Sequence, residues 1–334
     1  MFRLDTHLTN QQAKRSYQFS LENMSVTEWE VWQQQLRAAL TILLGISGRQ
    51  PVYPAPPDLL HQHSRTHYSE EKYVLSIKGL PVPMYLLIPH SPPPYRAFIA
   101  LHGHGIGVNQ ILGHYSDAAV AAQMSAHDEN FAQRLAEAGY LVCAIEQQGF
   151  GERVTNQVSD AGYSCQHLAY HYIMYGQTLL GERVLEAMGA LAYLLTREDV
   201  TTVGCIGHSA GATTALFLSA LDTRLTFSVL SGYFCDYHHS ILAMPHCVCN
   251  YIPHLYKCAD ISDIASLIAP RPLFLLHGEN DPIFPIEGFL QALPKLKTAY
   301  AMSRSEHNLS YKLHHGAHQF VYQWVQQWLS DISR

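Results

Sequence analysis

The sequence predicts an α/β protein in which a mostly parallel central sheet is covered by helices on both faces. Of its 334 residues, 48% are hydrophobic and 14% are charged, which supplies a large core and excludes a disordered chain. From residue 72 onward, short apolar runs alternate with helical patterns, as in sheets whose parallel strands are joined by helices. The predicted strands are 72–78, 84–88, 97–101, 140–145, 202–206, 226–230, 272–277 and 299–302, and the predicted helices are 128–138, 177–196, 210–221, 286–293 and 319–330.

A separate helical segment precedes this pattern. Residues 25–44 carry apolar side chains at helical spacing, begin with a capping box of Ser25 and Glu28, and end before Gly45. The Pro- and His-rich stretch 50–67 that follows is interpreted as an extended connector.

These patterns predict two parts of the chain. Residues 1–71 form an N-terminal helical extension and connector, and residues 72–334 form the α/β domain, whose motifs are considered below. Within the latter, residues 231–268 are rich in Tyr, His, Cys and Pro and interrupt the alternation of strands and helices. We interpret them as an insertion at the carboxyl end of a strand, where ligands bind in open α/β sheets.

Charge and cysteine usage limit the partners and the compartment. The net charge of −6 and the lack of basic runs argue against nucleic-acid and membrane binding. Seven cysteines cannot pair completely, and Cys143 and Cys205 lie inside apolar strand patterns, which indicates a reducing compartment. The N-terminus has no apolar leader, and no apolar run approaches the length of a membrane span. We therefore expect a soluble, cytoplasmic protein that acts on a small molecule; its oligomeric state is not predicted.

The strongest motif is Gly207-His208-Ser209-Ala210-Gly211, which lies between a predicted strand and a predicted helix. A Gly-x-Ser-x-Gly pattern in this context is typical of a sharp turn that lifts a nucleophilic serine clear of the sheet. A chance Gly/Ser turn is the alternative. We predict that Ser209 is a nucleophile.

A nucleophilic serine needs a base, and the base needs an acid to orient it. Asp281 follows an apolar strand pattern and a turn containing glycine, which is the expected place for the acid. Glu279 is the second choice, and Asp281 could instead only cap the next helix.

The base is expected after the last strand, where the chain contains four histidines. His318 directly precedes the closing apolar helix and follows Gly316, so we choose it over His307, His314 and His315.

Two backbone N–H groups should stabilise a negatively charged intermediate. One is expected from Ala210, and the other from the glycine-rich loop after strand 97–101, with His104 as first choice and Gly105 as second. A phosphate-binding loop is the alternative, but the glycines do not form a G-x-G-x-x-G pattern.

Taken together, residues from about 72 to 330 resemble the α/β-hydrolase superfamily, and most closely its dienelactone-hydrolase-like and acetyl xylan esterase-like branch. The resemblance implies an α/β-hydrolase fold, a two-step ester hydrolysis, and catalytic roles for Ser209, Asp281 and His318. The motifs that carry it are His102-Gly103-His104-Gly105, Gly149-Phe150-Gly151-Glu152-Arg153, Gly207-His208-Ser209-Ala210-Gly211-Ala212, Ala269-Pro270-Arg271-Pro272 and Gly278-Glu279-Asn280-Asp281-Pro282-Ile283-Phe284-Pro285.

Bulky rings in and near the insertion predict a pocket for short acyl groups, lined by Tyr233, Tyr251 and Phe284. Two other functions stay open: a serine peptidase of the prolyl-oligopeptidase type, and a non-catalytic binding protein on a hydrolase scaffold. We expect no cofactor and no metal, because Cys247-x-Cys249 lacks the C-x₂-C spacing of common zinc sites.

Overall fold

The computed structural model describes residues 16–22, 25–49, 56–155 and 161–332, together with positions 4, 7, 8 and 11. Its centre is a nine-stranded sheet with the order β1-β2-β3-β5-β4-β6-β7-β8-β9. The strands are β1 (Asp58–Ser64), β2 (Tyr68–Ile77), β3 (Leu80–Pro89), β4 (Tyr95–Leu101), β5 (Leu141–Ile145), β6 (Val200–His208), β7 (Phe227–Ser231), β8 (Leu273–Gly278) and β9 (Leu309–His314).

The pairing is antiparallel between β1 and β2, between β2 and β3, and between β3 and β5. It is parallel across all the other neighbours, from β5 to β9. The predicted α/β-hydrolase fold with a mostly parallel sheet is therefore confirmed.

Helices pack on both sides of this sheet. They are α1 (Trp29–Leu43), α2 (Asn109–Leu112), α3 (Ala118–Ala126), α4 (Phe131–Glu137), α5 (Ala161–Met174), α6 (Leu179–Leu194), α7 (Ala210–Leu221), α8 (Leu255–Cys258), α9 (Ile261–Ser266), α10 (Ile286–Met302) and α11 (Tyr322–Asp331), with 3₁₀ turns at Val26–Glu28, Gly151–Arg153, Val248–Asn250 and Glu306–Asn308. No helix in the described part of the chain is long and apolar enough to cross a bilayer.

Strand β4 shows why both faces of the sheet are covered. Side chains alternate between the two faces of a strand, and here both sets are apolar and fully buried from residue 97 to residue 101. Ala97 and Ile99 face a core that contains side chains of α1, α6, α7 and α10. Phe98 and Ala100 face a second core that contains side chains of α2, α4 and α11. This two-sided burial is typical of parallel strands.

The prediction of a connector over 50–67 is wrong for its second half. Asp58–Ser64 forms the edge strand β1, which pairs with β2, and β2 itself begins at Tyr68. Every residue of β1 is exposed, so the strand has no apolar face that could reveal its period in the sequence. Residues 50–55 lie outside the described residues. The first strand of the sheet begins at Asp58. The division of the chain into two parts at residue 72 stays a prediction.

The predicted strand 299–302 is also wrong, because α10 continues past Pro294 to Met302. Proline lacks one amide hydrogen and usually ends a helix, but here the helix is held by packing, with Ala299 and Tyr300 fully buried. The last strand is instead β9, Leu309–His314, an edge strand whose side chains are mostly half-buried or exposed.

The order of the strands determines where a site can form. The chain passes from β4 to its neighbour β5 and then returns to β6 on the opposite side of β4. Loops at the carboxyl ends of β4 and β6 therefore diverge above the sheet and leave a crevice, the usual ligand site in open α/β sheets. The glycine-rich loop and the Gly-x-Ser-x-Gly motif follow these two strands.

Candidate active site

Ser209 lies at the turn between β6 and α7. Its backbone angles, φ 55° and ψ −123°, fall in a region that residues other than glycine rarely adopt. The amide of Ser209 donates to Ser231 O at 2.9 Å, which ties the turn to the end of β7. A strained residue between a buried strand and a buried helix is what the motif predicts for a nucleophile.

The two glycines of the motif are required by close backbone contacts. A Cβ at Gly211 would lie 1.9 Å from Leu101 O, and a Cβ at Gly207 would lie 2.3 Å from the carbonyl carbon of Gly211. Helix α7 can therefore start directly against the end of β4 only when both positions lack a side chain.

Asp281 and His318 are in direct contact. Asp281 Oδ2 lies 2.7 Å from His318 Nδ1, and the Asp281 side chain is buried. Its other oxygen, Oδ1, accepts the amides of Ile283 at 2.8 Å and Phe284 at 2.9 Å. These amides lie in the turn before α10, so Asp281 both organises that turn and orients the imidazole.

This environment keeps Asp281 ionised. Burial alone would raise the pKa of its carboxyl group, but the hydrogen bond and charge of His318 and the amides of Phe284 and Ile283 outweigh burial. The net result is a pKa below the ordinary value for an aspartate.

The other candidates for acid and base lie elsewhere. His315 is almost fully exposed and contacts Glu279, so Glu279 pairs with a surface imidazole. His314 is buried at the end of β9, where its Nδ1 accepts the amide of Gly316. His307 lies in the exposed turn Glu306–Asn308.

His318 Nε2 has no hydrogen-bond partner among the described residues, although the atom is buried. The His318 ring lies 4.8 Å from the ring of His208, the neighbour of Ser209 in the chain. Both rings pack over Gly232, where a Cβ would come within 2.9 Å of His318 Cε1 and 3.1 Å of His208 Cε1. The free nitrogen therefore belongs to an imidazole that packs against His208, the residue before Ser209.

Two buried groups with no role predicted from the sequence lie near the imidazole of His318. His208 is buried, which together with the charge of His318 holds its pKa well below the ordinary value, so it stays neutral. Glu129 is also buried, 3.8 Å from His208 Nε2, and desolvation raises the pKa of its carboxyl group. Gln110 Nε2 donates to Glu129 at 2.8 Å. No motif surrounds Glu129, so only the fold could reveal it.

The glycine-rich loop runs past Ser209. A Cβ at Gly103 would lie 3.3 Å from Ser209 Cβ, so the peptide leading to His104 lies against the turn. His102 fixes the start of this loop, since its fully buried ring bonds to Gly103 O and to the amide of Gln147. The Ala210 amide is at the free N-terminus of α7, where donors are unpaired within the helix.

The three predicted pocket residues lie in two places. Tyr233 and Phe284 are buried and touch each other at 5.3 Å between ring centroids, and Phe284 lies 5.6 Å from the His318 ring. Tyr251 instead lines a separate apolar cavity of about 280 Å³, whose lining includes none of Ser209, Asp281 and His318. The Tyr251 hydroxyl donates to Ile241 O at 3.1 Å.

A second polar cluster adjoins the site. Cys247 and Cys249 lie next to Cys165 of α5 and the side chain of His104, with the four ligand atoms all within 4.8 Å of one another. Hydrogen bonds from the two neighbouring thiols and the charge of Arg183 lower the pKa of Cys165. Burial lowers the pKa of His104, but its bonds to Cys165 and Cys247 prevail and raise it to about 9.

Comparison with known proteins places these features in a family context. The model of the Abhydrolase family matches residues 5–330. A relative named as a hydrolase, YtaP of Bacillus subtilis (strain 168), is 32% identical over 177 residues, or 52% of this chain and 57% of the relative. The 2,6-dihydropseudooxynicotine hydrolase of Paenarthrobacter nicotinovorans is 23% identical over 240 residues, or 67% of this chain and 55% of that enzyme. The chain thus spans little more than half the length of these relatives.

Among solved structures, a Bacteroides fragilis NCTC 9343 protein described as an acetyl xylan esterase superposes with a TM-score of 0.84. The match covers 99% of this chain and 95% of that one at 17% identity, so the likeness is one of fold. The family model therefore confirms the resemblance to the α/β-hydrolase superfamily, and the structural likeness confirms its fold.

Proposed function

The chain belongs to the Abhydrolase family, and on that premise we propose that it is a serine hydrolase of short-acyl carboxylic esters. The observation that carries the proposal is the contact between the ionised Asp281 and His318, whose other nitrogen is free beside the strained Ser209 turn. A nucleophile, a base and an orienting acid in this order are the parts that acyl transfer needs.

The reaction proceeds in two steps. Ser209 Oγ attacks the ester carbonyl carbon while its proton passes to His318 Nε2, and the tetrahedral intermediate expels the alcohol, which takes that proton. Water then attacks the acyl-enzyme, gives a proton to His318, and the acid leaves as Ser209 regains its proton. Asp281 stays ionised throughout and stabilises the imidazolium, in line with its lowered pKa.

The intermediate carries its negative charge on the former carbonyl oxygen. The amide of Ala210, at the unpaired N-terminus of α7, and that of His104, in the loop beside Ser209, are the donors we assign to it. Removing one such donor typically costs about 100- to 1,000-fold in kcat.

Aromatic packing beside His318 supports the assignment to short acyl groups. Phe284 lies against His318, and Tyr233 lies against Phe284, both buried, so these rings leave little room for an alkyl tail on that side. The apolar cavity at Tyr251 is a separate feature with no assigned part in this reaction. Because each methylene changes discrimination by about 1–3 kcal/mol at most, the preference should be graded along an acyl series.

The test is turnover of p-nitrophenyl esters from acetate to decanoate by wild-type protein and by Ser209→Ala. We expect kcat/KM to fall from acetate to decanoate and the variant to lose at least about a thousandfold. Ser228→Ala is the matched control, because this buried serine on β7 bonds to Ser219 at 2.8 Å and not to the site.

Near-normal turnover by a folded Ser209→Ala protein would contradict the proposal. Hydrolysis of amide substrates at rates above those of esters would favour a peptidase, and absence of both activities in wild-type protein would favour a binding protein.

A further inference from the structure

We propose that His104, Cys165, Cys247 and Cys249 bind one divalent metal ion of the zinc class. The four ligand atoms lie within 4.8 Å of one another in the described structure. Three thiolates and one imidazole are a ligand set of structural zinc sites, and soft thiolates select zinc over magnesium or calcium. This ion would take no part in the chemistry of ester hydrolysis, although the cluster includes His104, whose backbone amide we assign to the intermediate. The site goes against the expectation of no metal, for which the Cys247-x-Cys249 spacing was one argument.

The distances suit a tetrahedral ion. With about 2.3 Å from zinc to sulfur and about 2.0–2.1 Å from zinc to nitrogen, neighbouring ligand atoms are about 3.6–3.8 Å apart. The His104 Nε2 atom lies 3.9 Å from Cys165 Sγ and 3.7 Å from Cys249 Sγ. The Cys165 and Cys247 sulfurs are 3.2 Å apart, and a small outward shift of one would complete the arrangement.

The ligands come from three separate parts of the chain. Cys165 is on α5, Cys247 and Cys249 flank the start of the 3₁₀ turn Val248–Asn250 in the insertion, and His104 is on the loop after β4. Cys165 and Cys249 are buried and Cys247 is half-buried, whereas His104 is partly open to solvent.

A buried cation gives the second, independent argument. Arg183 is 1% exposed, and its guanidinium donates to Gln148 O at 2.6 Å and to Cys165 Sγ at 3.2 Å. Among the described residues it takes part in none of the ion pairs with carboxylates, although a buried charge needs an opposite one. Three thiolates and one divalent ion carry a net charge of −1, which Arg183 balances.

A Cys165–Cys247 disulfide explains less. It would use two of the four side chains, leave Cys249 and His104 without a role, and remove the negative charge that faces Arg183. A metal ion uses all four ligands. Because no position is left open for water or substrate, the site is structural and not catalytic. Its effect is to attach the insertion and α5 to the loop that passes Ser209.

The direct test is the metal content of reduced wild-type protein after zinc loading and removal of unbound metal. We expect about one zinc per chain in wild-type protein, in Ser209→Ala and in the control Cys258→Ser, whose thiol lies outside the cluster. Cys165→Ser and Cys249→Ser should each lose most of this zinc. Because Ser209→Ala lacks the proposed nucleophile, zinc retained by this variant would show that metal binding does not depend on the proposed hydrolase activity.

A second measurement does not depend on any variant folding. Cobalt(II) added to metal-free wild-type protein should give the visible absorption of a tetrahedral thiolate site at one equivalent, and zinc should displace it. A chelator should lower the Tm of the zinc-loaded wild-type protein and leave that of Cys165→Ser unchanged. Wild-type protein that binds neither ion under reducing conditions, or that forms a Cys165–Cys247 disulfide in their presence, would overturn the proposal.

Discussion

At the scale of single residues, His318 is distinguished from its neighbours by what it touches. The sequence offers four histidines near the chain end and ranks them only by position. In the structure, His318 contacts Asp281, His315 contacts Glu279 at the surface, and His314 is enclosed at the end of β9. Only the first contact aligns an imidazole with a buried carboxylate.

We therefore expect His318→Ala to lose nearly all ester turnover, because Ser209 loses its proton acceptor, whereas His315→Ala keeps most of it. The measurement is kcat/KM against pH for both variants and wild-type protein. The pH profile of His315→Ala should match that of wild-type protein, because His315 lies at the surface and contacts Glu279. Full activity of folded His318→Ala would move the base elsewhere.

Asp281→Asn tests the orienting acid separately. The amide removes the charge that stabilises the imidazolium and favours the wrong tautomer of His318, so kcat should fall on the order of 10³- to 10⁴-fold. Glu279→Gln is the matched control, since its carboxylate contacts only the exposed His315 in this loop. Loss of activity in the control with retention in Asp281→Asn would show that the acid had been misassigned.

Sequence reasoning selected Ser209 and Asp281 because each follows a recognisable apolar strand, and His318 because it directly precedes the closing helix. It did not reach Glu129 or Cys165, since neither has a local motif: Glu129 lies just before α4, and Cys165 lies within α5. Their chemistry arises only from long-range contacts, to His208 in one case and to Cys247 in the other.

At the scale of elements, the turn between β6 and α7 depends on glycines, which have no Cβ atom. Gly211→Ala would place a Cβ 1.9 Å from Leu101 O, and no flexible side chain can move away to make room. We expect the free energy of unfolding to fall by about 1–3 kcal/mol or more, as for overpacked cores. Denaturant unfolding measures this loss, and Gly48→Ala is the control.

Gly48 has φ +66° but open space around its Cβ position, so its cost should be only the backbone strain of about 1–2 kcal/mol. If the two variants lost equal stability, the close contact of α7 with the end of β4 would not be the reason for the motif.

Strand β8 contains a histidine that should make stability depend on pH. Burial, opposed by the charge of Asp281, lowers the pKa of His277 to about 4, and neither ring nitrogen has a partner among the described residues. The unfolded chain binds a proton near pH 6.5 and the folded chain only near 4, so acidification through this window favours unfolding. The charges of His318 and His314 act in the same direction.

His277→Phe keeps an aromatic ring against Phe289, 4.8 Å away, and removes the titration. Between pH 6.5 and 4 its free energy of unfolding should fall less than that of wild-type protein, by on the order of 3 kcal/mol. His63→Phe, on the exposed edge strand β1, should leave the wild-type slope unchanged. Equal slopes in His277→Phe and wild-type protein would contradict a buried, neutral His277.

The errors in the predicted strands share one physical cause, which is that a local sequence pattern does not show which segments pair in the sheet. Buried parallel strands such as β4 and β6 were recognisable because they are continuous apolar runs. The edge strands β1 and β9 are not predicted, because a strand at the edge of the sheet needs no continuous apolar run. The end of α10 resembles a strand because it is apolar and follows a proline. Pairing partners, and not local pattern, determine structure at the edges of the sheet.

At the scale of the whole molecule, the sheet brings loops from distant positions to one edge. Ser209 follows β6, Asp281 follows β8 and His318 follows β9, and the parallel pairing of these strands brings their carboxyl ends to the same side. The places of Ser209 and Asp281 were predictable from the alternation of strands and helices, whereas the strand before His318 was not, because β9 is not a continuous apolar run. The course of the insertion was not: Tyr233 and Tyr237 of its first segment pack into the core, and Cys249 turns toward α5.

The proposed reaction depends on Ser209 as a nucleophile activated by His318 and Asp281. The most direct measurement of this is labelling of the native protein with a fluorophosphonate, followed by peptide mapping by mass spectrometry. We expect one label per chain on Ser209, no label on Ser209→Ala, and wild-type labelling of Ser228→Ala. A label on another residue, or none on folded wild-type protein, would contradict it.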